Sequence, residues 1–294
     1  MCIRDSFKGG PARWQGLGTI TVMAAVQRLK SRALDVVRRG RPVAWVPEWM
    51  GLGNLLYMAK WAHDGQEQGE DRRVLLHPKR ECAAELFPVM RERLFVSRHD
   101  VRFTDQRVMP WSGPRPDYPA RTDPAADESF IRDMLLPGTP LQVSPHDFHD
   151  AVVVNVRRGD YFSVSAHYDE FGMDQVGYVR AAVEQSISDQ GMPSRFVIIS
   201  DGVDWCGEAL GSVLSPIAPV SYEDGDLAHD LASIIHARRL IITNSTFSYW
   251  GGYIGDVLHP GREVIAPWFF SRSQDGGRAT QLRPHWVALQ GDFY

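Results

Sequence analysis

Cysteine is scarce in this chain. Three of its 294 residues, Cys2, Cys82 and Cys206, lie far apart with no CxxC pair. That excludes a disulfide framework and a cysteine zinc site, and it fits a reducing compartment. Long hydrophobic runs are missing too: none approaches the roughly 20 residues that span a bilayer, and Thr19–Val26 lacks a signal peptide's layout. Positive charge is in deficit, with a formal net charge of −4, which argues against a general affinity for nucleic acid and makes any anion binding local. The ten histidines form no HExxH pattern, and neither a GxSxG elbow nor a P-loop is present. No internal repeat or low-complexity tract is found.

What remains is an ordinary globular composition, 44% hydrophobic and 23% charged, on a chain long enough to bury a full core in one large or two medium domains. Residues 1–22 fit neither helix nor strand periodicity and read as a leader of doubtful origin, with Met23 as an alternative start. The segment Met23–Gly40 is a basic amphipathic helix pattern. It reads first as a solvated helix covering the core and second as a peripheral membrane contact. With no spanning segment and no signal, the expected location is cytoplasmic, with contact at the inner membrane as the second reading.

Strand and helix signals then alternate, as in a parallel α/β sheet. In the first half, Pro42–Val46, Arg72–Pro78 and Arg93–Val96 read as strands, and Gly51–Asp64 as a glycine turn opening a helix. From Pro110 to Pro145 there are eight prolines, a connection or substrate-facing loop broken by one helix pattern, "DESFIRDMLL". The second half gives four apolar runs, "AVVVNV", "RFVIIS", "RLIITN" and "REVIAP", separated by helices. The expected architecture is two Rossmann-like domains, residues 23–145 and 146–294.

Such sheets bind ligands outside the carboxyl ends of their strands. In the second half those ends carry Asn155, Arg157, Arg158 and Asp160; Ser200 and Asp201; Asn244, Ser245 and Thr246; and Pro267 and Trp268. Guanidinium groups there suit phosphate, which they grip through paired donors. Asp160 can lock one arginine and leave the other for a ligand, or form a purely internal pair with Arg158. Asn244 or Ser245 can cap the following helix, whose free N–H groups make an anion seat. Phe247 and Trp250 read as core. Asp224–x–Asp226 could chelate a divalent ion, but just before a helix the capping reading is stronger.

In order and spacing, "NVRRGDYF", "SDGVDW" and "DLASIIHARRLIITNSTFSYWGGYI" resemble the three motif regions of the family 11 α-1,2-fucosyltransferases, and "GLGN" at residues 51–54 resembles that family's glycine turn. The resemblance runs from about residue 45 to 270. It implies a GT-B-like fold of two Rossmann-like domains with parallel sheets and an interdomain donor cleft. It also implies an inverting transfer of L-fucose from GDP-fucose to an oligosaccharide hydroxyl, with no metal, for cell-surface glycans such as O-antigen or capsule. Arg157 then matches the arginine that grips the donor's phosphate, with Arg158 and Asp160 as its supporting pair. Asp201 belongs to the second motif, and Asp230 falls at the guanine edge. Asn244, Ser245, Thr246 and Phe247 lie where the diphosphate is cradled, and Gly53 and Asn54 face the donor from the other domain. Three positions depart from the family pattern. Asn155 replaces a histidine near the guanine, Leu55 a glutamine, and Gly202 the second aspartate of "SDD". These leave open another GDP-deoxyhexose donor, or a nucleotide-sugar-binding protein without turnover. Asp160, His167, Asp169 and Glu170 are the candidates for the acceptor's base.

Overall fold

A computed structural model of the chain describes Leu34 and residues 36–112 and 123–294. The leader, two thirds of the Met23–Gly40 helix pattern and part of the proline-rich connection lie outside the described residues.

The first half builds a four-stranded parallel sheet: β1 Pro42–Trp45, β2 Arg73–Leu75, β3 Phe95–Val96 and β4 Gln106–Val108, in the order β3-β2-β1-β4. Helix α1 (Leu52–Glu67) returns from β1 to β2, and the short α2 (Glu81–Glu85) and α3 (Pro88–Leu94) precede β3. β4 is absent from the sequence reading because a three-residue polar edge strand has too little periodicity to show. Between the sheets, α4 (Pro124–Phe130) continues into a π-turn over Ile131–Leu135, closed by Leu136 N–H donating to the Ile131 carbonyl at 2.9 Å.

The second half contains β5 Ala151–Val156, α5 Gly159–Ser163, α6 Ser165–Phe171, α7 Gln175–Gln190, β6 Arg195–Ser200, α8 Val203–Leu214 and β7 Val220–Glu223. It continues with α9 Leu227–His236, β8 Arg239–Ile242, α10 Thr246–Leu258, β9 Glu263–Pro267 and β10 Val287–Leu289. Its six parallel strands run β10-β9-β8-β5-β6-β7. Numbered within the sheet, that is the doubly wound order 3-2-1-4-5-6. Two strands exceed the four expected, β7 and β10, both at edges, where solvent on one side permits polar residues and short lengths. β5 is buried at every position, which explains its unbroken valine run: a central parallel strand is covered on both faces.

The two sheets give the expected α/β class, but the halves are not held apart by an open cleft along their whole seam. One apolar core runs through both, joining Leu55, Tyr57 and Trp61 of α1 to Leu231 and Ile234 of α9 and Trp250 and Tyr253 of α10. Trp250 has its ring centroid 5.1 Å from Tyr57 and 5.6 Å from Phe130. A buried ionic link crosses as well. Asp127 of α4 takes Arg283 from the C-terminal segment at 2.7 Å and lies 3.4 Å from Lys60 of α1. No described helix is long and apolar enough to cross a membrane.

Candidate active site

In the second sheet the topology marks one place. Strand order reverses between β5 and β8, and a ligand of a doubly wound sheet binds in the crevice outside the carboxyl ends at that point. The residues leaving those two strands are Arg157 and Asn244, and the strand ends are fastened together by Arg157 N–H donating to the Thr243 hydroxyl at 3.0 Å.

Arg157 sits between two carboxylates. Its Nη1 lies 2.6 Å from Asp201 Oδ2 and its Nη2 2.5 Å from Asp160 Oδ1, with the side chain 37% exposed. Burial alone would lower the guanidinium's pKa, but Asp201, then Asp160, outweigh it and hold it above its ordinary value. A guanidinium carries five N–H donors, so the two ion pairs leave others for a ligand on the exposed side. Asp160 therefore partners Arg157, not Arg158 as the internal-pair reading had it. The exchange follows from backbone geometry. Gly159 has φ +29°, and a Cβ on it would fall 2.5 Å from Asp201 Oδ2; only glycine turns the chain there tightly enough to bring Asp160 back under the first arginine.

Arg158 is held differently. Its guanidinium lies 3.6 Å from the Phe162 ring centroid and 3.7 Å from that of Trp205, a cation between two aromatic faces. It also donates to Gln175 Oε1 at 3.1 Å, and burial lowers its pKa. Gly202, where the family pattern has aspartate, makes this stacking possible, since a Cβ there would come within 2.9 Å of the Arg158 stem. Asp201 accepts the Arg158 backbone N–H at 2.7 Å, so one carboxylate positions both arginines.

The helix start behaves unlike the capping expectation. Ser245 is the N-cap of α10 but makes no side-chain cap bond. Asn244 instead donates to the carbonyls of Phe171 at 2.8 Å and Phe270 at 2.9 Å, bracing two loops, while its buried Oδ1 has no partner. The first-turn N–H groups of α10 are thus left without a side-chain cap, the condition under which a helix start attracts an anion. Thr246 and Phe247 are half-buried there.

Asn155 does not reach out as a base-recognition residue. It is 6% exposed; its amide donates to the Ile199 carbonyl at 3.0 Å and accepts the Ser248 hydroxyl. It fixes the first turn of α10 against β5 and β6. The glycine turn also departs from expectation. Gly53 already lies in the first turn of α1, and a Cβ on it would be 2.5 Å from Thr246 C, 2.6 Å from Thr246 Oγ1, and closer still to Phe247 N. Its missing side chain admits the start of α10, with the half-buried Asn54 beside the junction. Leu55, in the family's glutamine position, is core. Two helix starts, each following a strand's carboxyl end, therefore meet beside the arginine cluster.

Among the base candidates, Asp160 Oδ2 lies 3.3 Å from His167 Nδ1. Glu170 is turned elsewhere, accepting the backbone N–H of Ser273 at 3.0 Å and its hydroxyl. Burial would raise its carboxyl, but the Ser273 bonds outweigh it and hold it below the usual range. Asp169 offers its backbone carbonyl to Arg272. Asp230 lies in the first turn of α9; Asp226 caps that helix through Ala228 and His229 N–H at 3.0 and 2.9 Å, as the capping reading expected. Sequence reasoning missed Gln175, Thr243, Trp205 and Tyr161. Tyr161 lies under Arg157 and stacks on Phe171 at 4.5 Å, and burial pushes its phenol up to about 12. A separate cavity of about 500 Å³ opens at the opposite, amino-terminal edge of the sheet, lined by Ser194, Arg238 and Glu263 among others.

Residues 139–289, half of the chain and including the arginine motif and the start of α10, match the sequence model of glycosyl transferase family 11. The chain belongs to that family. It is 28% identical over 169 residues to the Mus musculus galactoside alpha-(1,2)-fucosyltransferase 2, covering 56% of this chain and 46% of that protein. It is 26% identical over 128 residues to an Escherichia coli alpha-1,2-colitosyltransferase, covering 41% of each. The chain thus spans about half the length of the curated relatives it matches, or less. A solved Arabidopsis thaliana FUT1 mutant in complex with GDP is similar over 82% of this chain and 74% of that one, at 10% identity and a TM-score of 0.45.

Proposed function

We propose that the protein is an inverting glycosyltransferase that moves L-fucose from GDP-fucose to a sugar hydroxyl. The linkage would be α-1,2, on a galactoside, in cytoplasmic assembly of a cell-surface glycan. The observation that carries this reading is the convergence of Arg157 with the uncapped start of α10 at the switch point of the second sheet. An anion placed there meets the remaining guanidinium donors and a set of aligned N–H groups, which together neutralise the charge that develops on departing GDP. No metal is needed for that step.

Asp160 is the part of the resting site able to yield. It is 44% exposed on a five-residue helix, whereas Asp201 is also tied to the Arg158 backbone. A phosphate on the remaining Arg157 donors competes with Asp160, whose other oxygen is paired with His167. That pair is oriented as a proton acceptor and its positioning partner for the acceptor hydroxyl. Arg158, Asp201 and Asn155 hold the frame, and Gly53 packs α1 onto α10; Thr246, Phe247 and Asn54 border the diphosphate, and Asp230 takes the guanine edge.

A second donor, another GDP-linked deoxyhexose, is favoured by the internal commitment of Asn155 and by the relative named a colitosyltransferase. Incubation with GDP-fucose and GDP-colitose over a galactoside panel, scoring transferred sugar and released GDP, decides between them. The absence of both transfer and hydrolysis with every GDP-sugar would refute the enzymatic reading. GDP raising the melting temperature without turnover would reduce the protein to a nucleotide-sugar binder.

A further inference from the structure

Away from the arginine cluster, the connection between the halves meets the edge of the second sheet. His146 follows directly on that connection, ahead of β5, Glu223 is the last residue of β7, and His229 lies in the first turn of α9. Their ligand atoms all lie within 4.8 Å of one another. His146 Nε2 is 3.3 Å from Glu223 Oε1 and His229 Nε2 is 3.0 Å from Oε2. The two rings are 5.4 Å apart at 77°. Around a tetrahedral zinc with bonds near 2.0–2.1 Å, neighbouring ligand atoms are separated by roughly 3.3 Å. Each imidazole nitrogen already stands near that separation from one Glu223 oxygen, and the ligand atoms as a set lie within 4.8 Å, so modest side-chain adjustment would let an ion enter.

Several groups hold the ligands in place. Glu223 is only 14% exposed and its Oε2 also accepts the Ser233 hydroxyl at 3.2 Å. The His146 ring packs edge-on against Phe148. His229 is seated over Gly225, where a Cβ would come within 2.8 Å of the imidazole Cγ. The backbone N–H of His229 is taken by Asp226, which fixes the turn that presents the ring. His146 is 46% and His229 32% exposed, so the outer side faces water, which would supply the fourth ligand. Two imidazoles with one carboxylate select a borderline cation such as Zn²⁺ over Ca²⁺ or Mg²⁺.

We infer that His146, Glu223 and His229 form a zinc-class site that fastens the interdomain connection to β7 and α9. It differs in place and chemistry from the Asp224–x–Asp226 pair, whose Asp226 serves as a helix cap. It is a tether, not a counter-ion for the donor.

The test is made on the full chain without any sugar nucleotide, so its outcome stands apart from the transferase reading. After stripping with chelator, the protein is dialysed against zinc chloride and analysed for bound metal, and cobalt(II) is substituted for its visible spectrum. The expected result is about one zinc per chain, a tetrahedral cobalt band, and a melting temperature raised by roughly 5 °C at a hundredfold excess over Kd. H146A, just past the connection, should lose the cobalt band and the thermal shift. E223Q should do likewise while keeping a side chain able to accept the Ser233 hydroxyl. Wild type retaining no zinc overturns the proposal. So do both variants retaining it with the wild-type spectrum, since the metal would then sit elsewhere.

Discussion

Replacing Gly53 by alanine puts the meeting of the two helix starts to a test whose sign decides the matter. In a helix interior, Gly→Ala ordinarily stabilises by about 0.5–1 kcal/mol. At Gly53 the new methyl would lie 2.5 Å from Thr246 C and 2.6 Å from Thr246 Oγ1. Carbon atoms rest about 3.5–4.0 Å apart, so α1 and α10 must separate by roughly 1 Å. The obstacle is chiefly backbone, with no flexible side-chain tip to swing aside. Overpacking of this kind costs about 1–3 kcal/mol, more than the propensity gain, and a misplacement near 1 Å at a reacting centre can cost about a hundredfold in rate. The expected outcome is a melting temperature lower by a few degrees and roughly hundredfold slower release of GDP from the donor. Gly207 in α8 is the control, since nothing lies within 4 Å of a Cβ built there; G207A should raise the melting temperature and leave turnover alone. A G53A protein that gains stability as G207A does, with unchanged turnover, would refute the claim that Gly53 is a close contact between α1 and α10.

Arg157→Ala removes the guanidinium that faces both carboxylates, and loss of a charge-assisted grip of about 1.5–3 kcal/mol at this part-exposed side chain should lower donor turnover roughly 10- to 150-fold; R157K, lacking the planar fork, should recover little of it. Near-normal kinetics in R157A would place the phosphate elsewhere. His259, 2.9 Å from His236 through ring nitrogens, is lowered to about 4 by burial, then by His236, Arg238 and Arg262. The unfolded chain takes up that proton first, so its contribution to stability is full above the ordinary histidine range and fades as pH falls from about 6.5 toward 4. Melting curves across that window should show the decline, and H259N should flatten it. Asp127, buried between Arg283 and Lys60, has its carboxyl pushed up by burial against both cations. D127A takes from buried Arg283 its carboxylate, while Lys60 keeps Asp64 at 2.7 Å, and should cost about 3–5 kcal/mol in urea denaturation; a loss below about 1 kcal/mol would mean that the link adds little.

Much of the candidate site is legible in the sequence alone. The valine run of β5 announced a strand covered on both faces, and the rule that ligands gather at carboxyl ends drew attention to Arg157, Asp201 and Asn244 together. Which arginine pairs with Asp160 was not legible, because strand alternation says nothing about a turn pivoting on Gly159 at φ +29°. The roles of Asn155 and Asn244 were equally hidden. Both are polar residues at strand ends, and whether such an amide faces a ligand or a neighbouring carbonyl depends on segments 26–93 residues away. The short strands β4, β7 and β10 escaped because edge strands of three or four residues need little apolar pattern.

By itself, then, the sequence determined the elements and their polarity. Apolar period and strand-end chemistry are local properties, and they suffice for two parallel sheets with an anion-seeking edge. Only the tertiary structure decided that both halves share one core through α1 and α10, that Gly53 is a point of contact instead of a ligand loop, and that His146 lies beside Glu223 and His229. Those are matters of which distant surfaces touch. Touching is settled by the packing of side chains far apart in the chain, to which no local pattern has access.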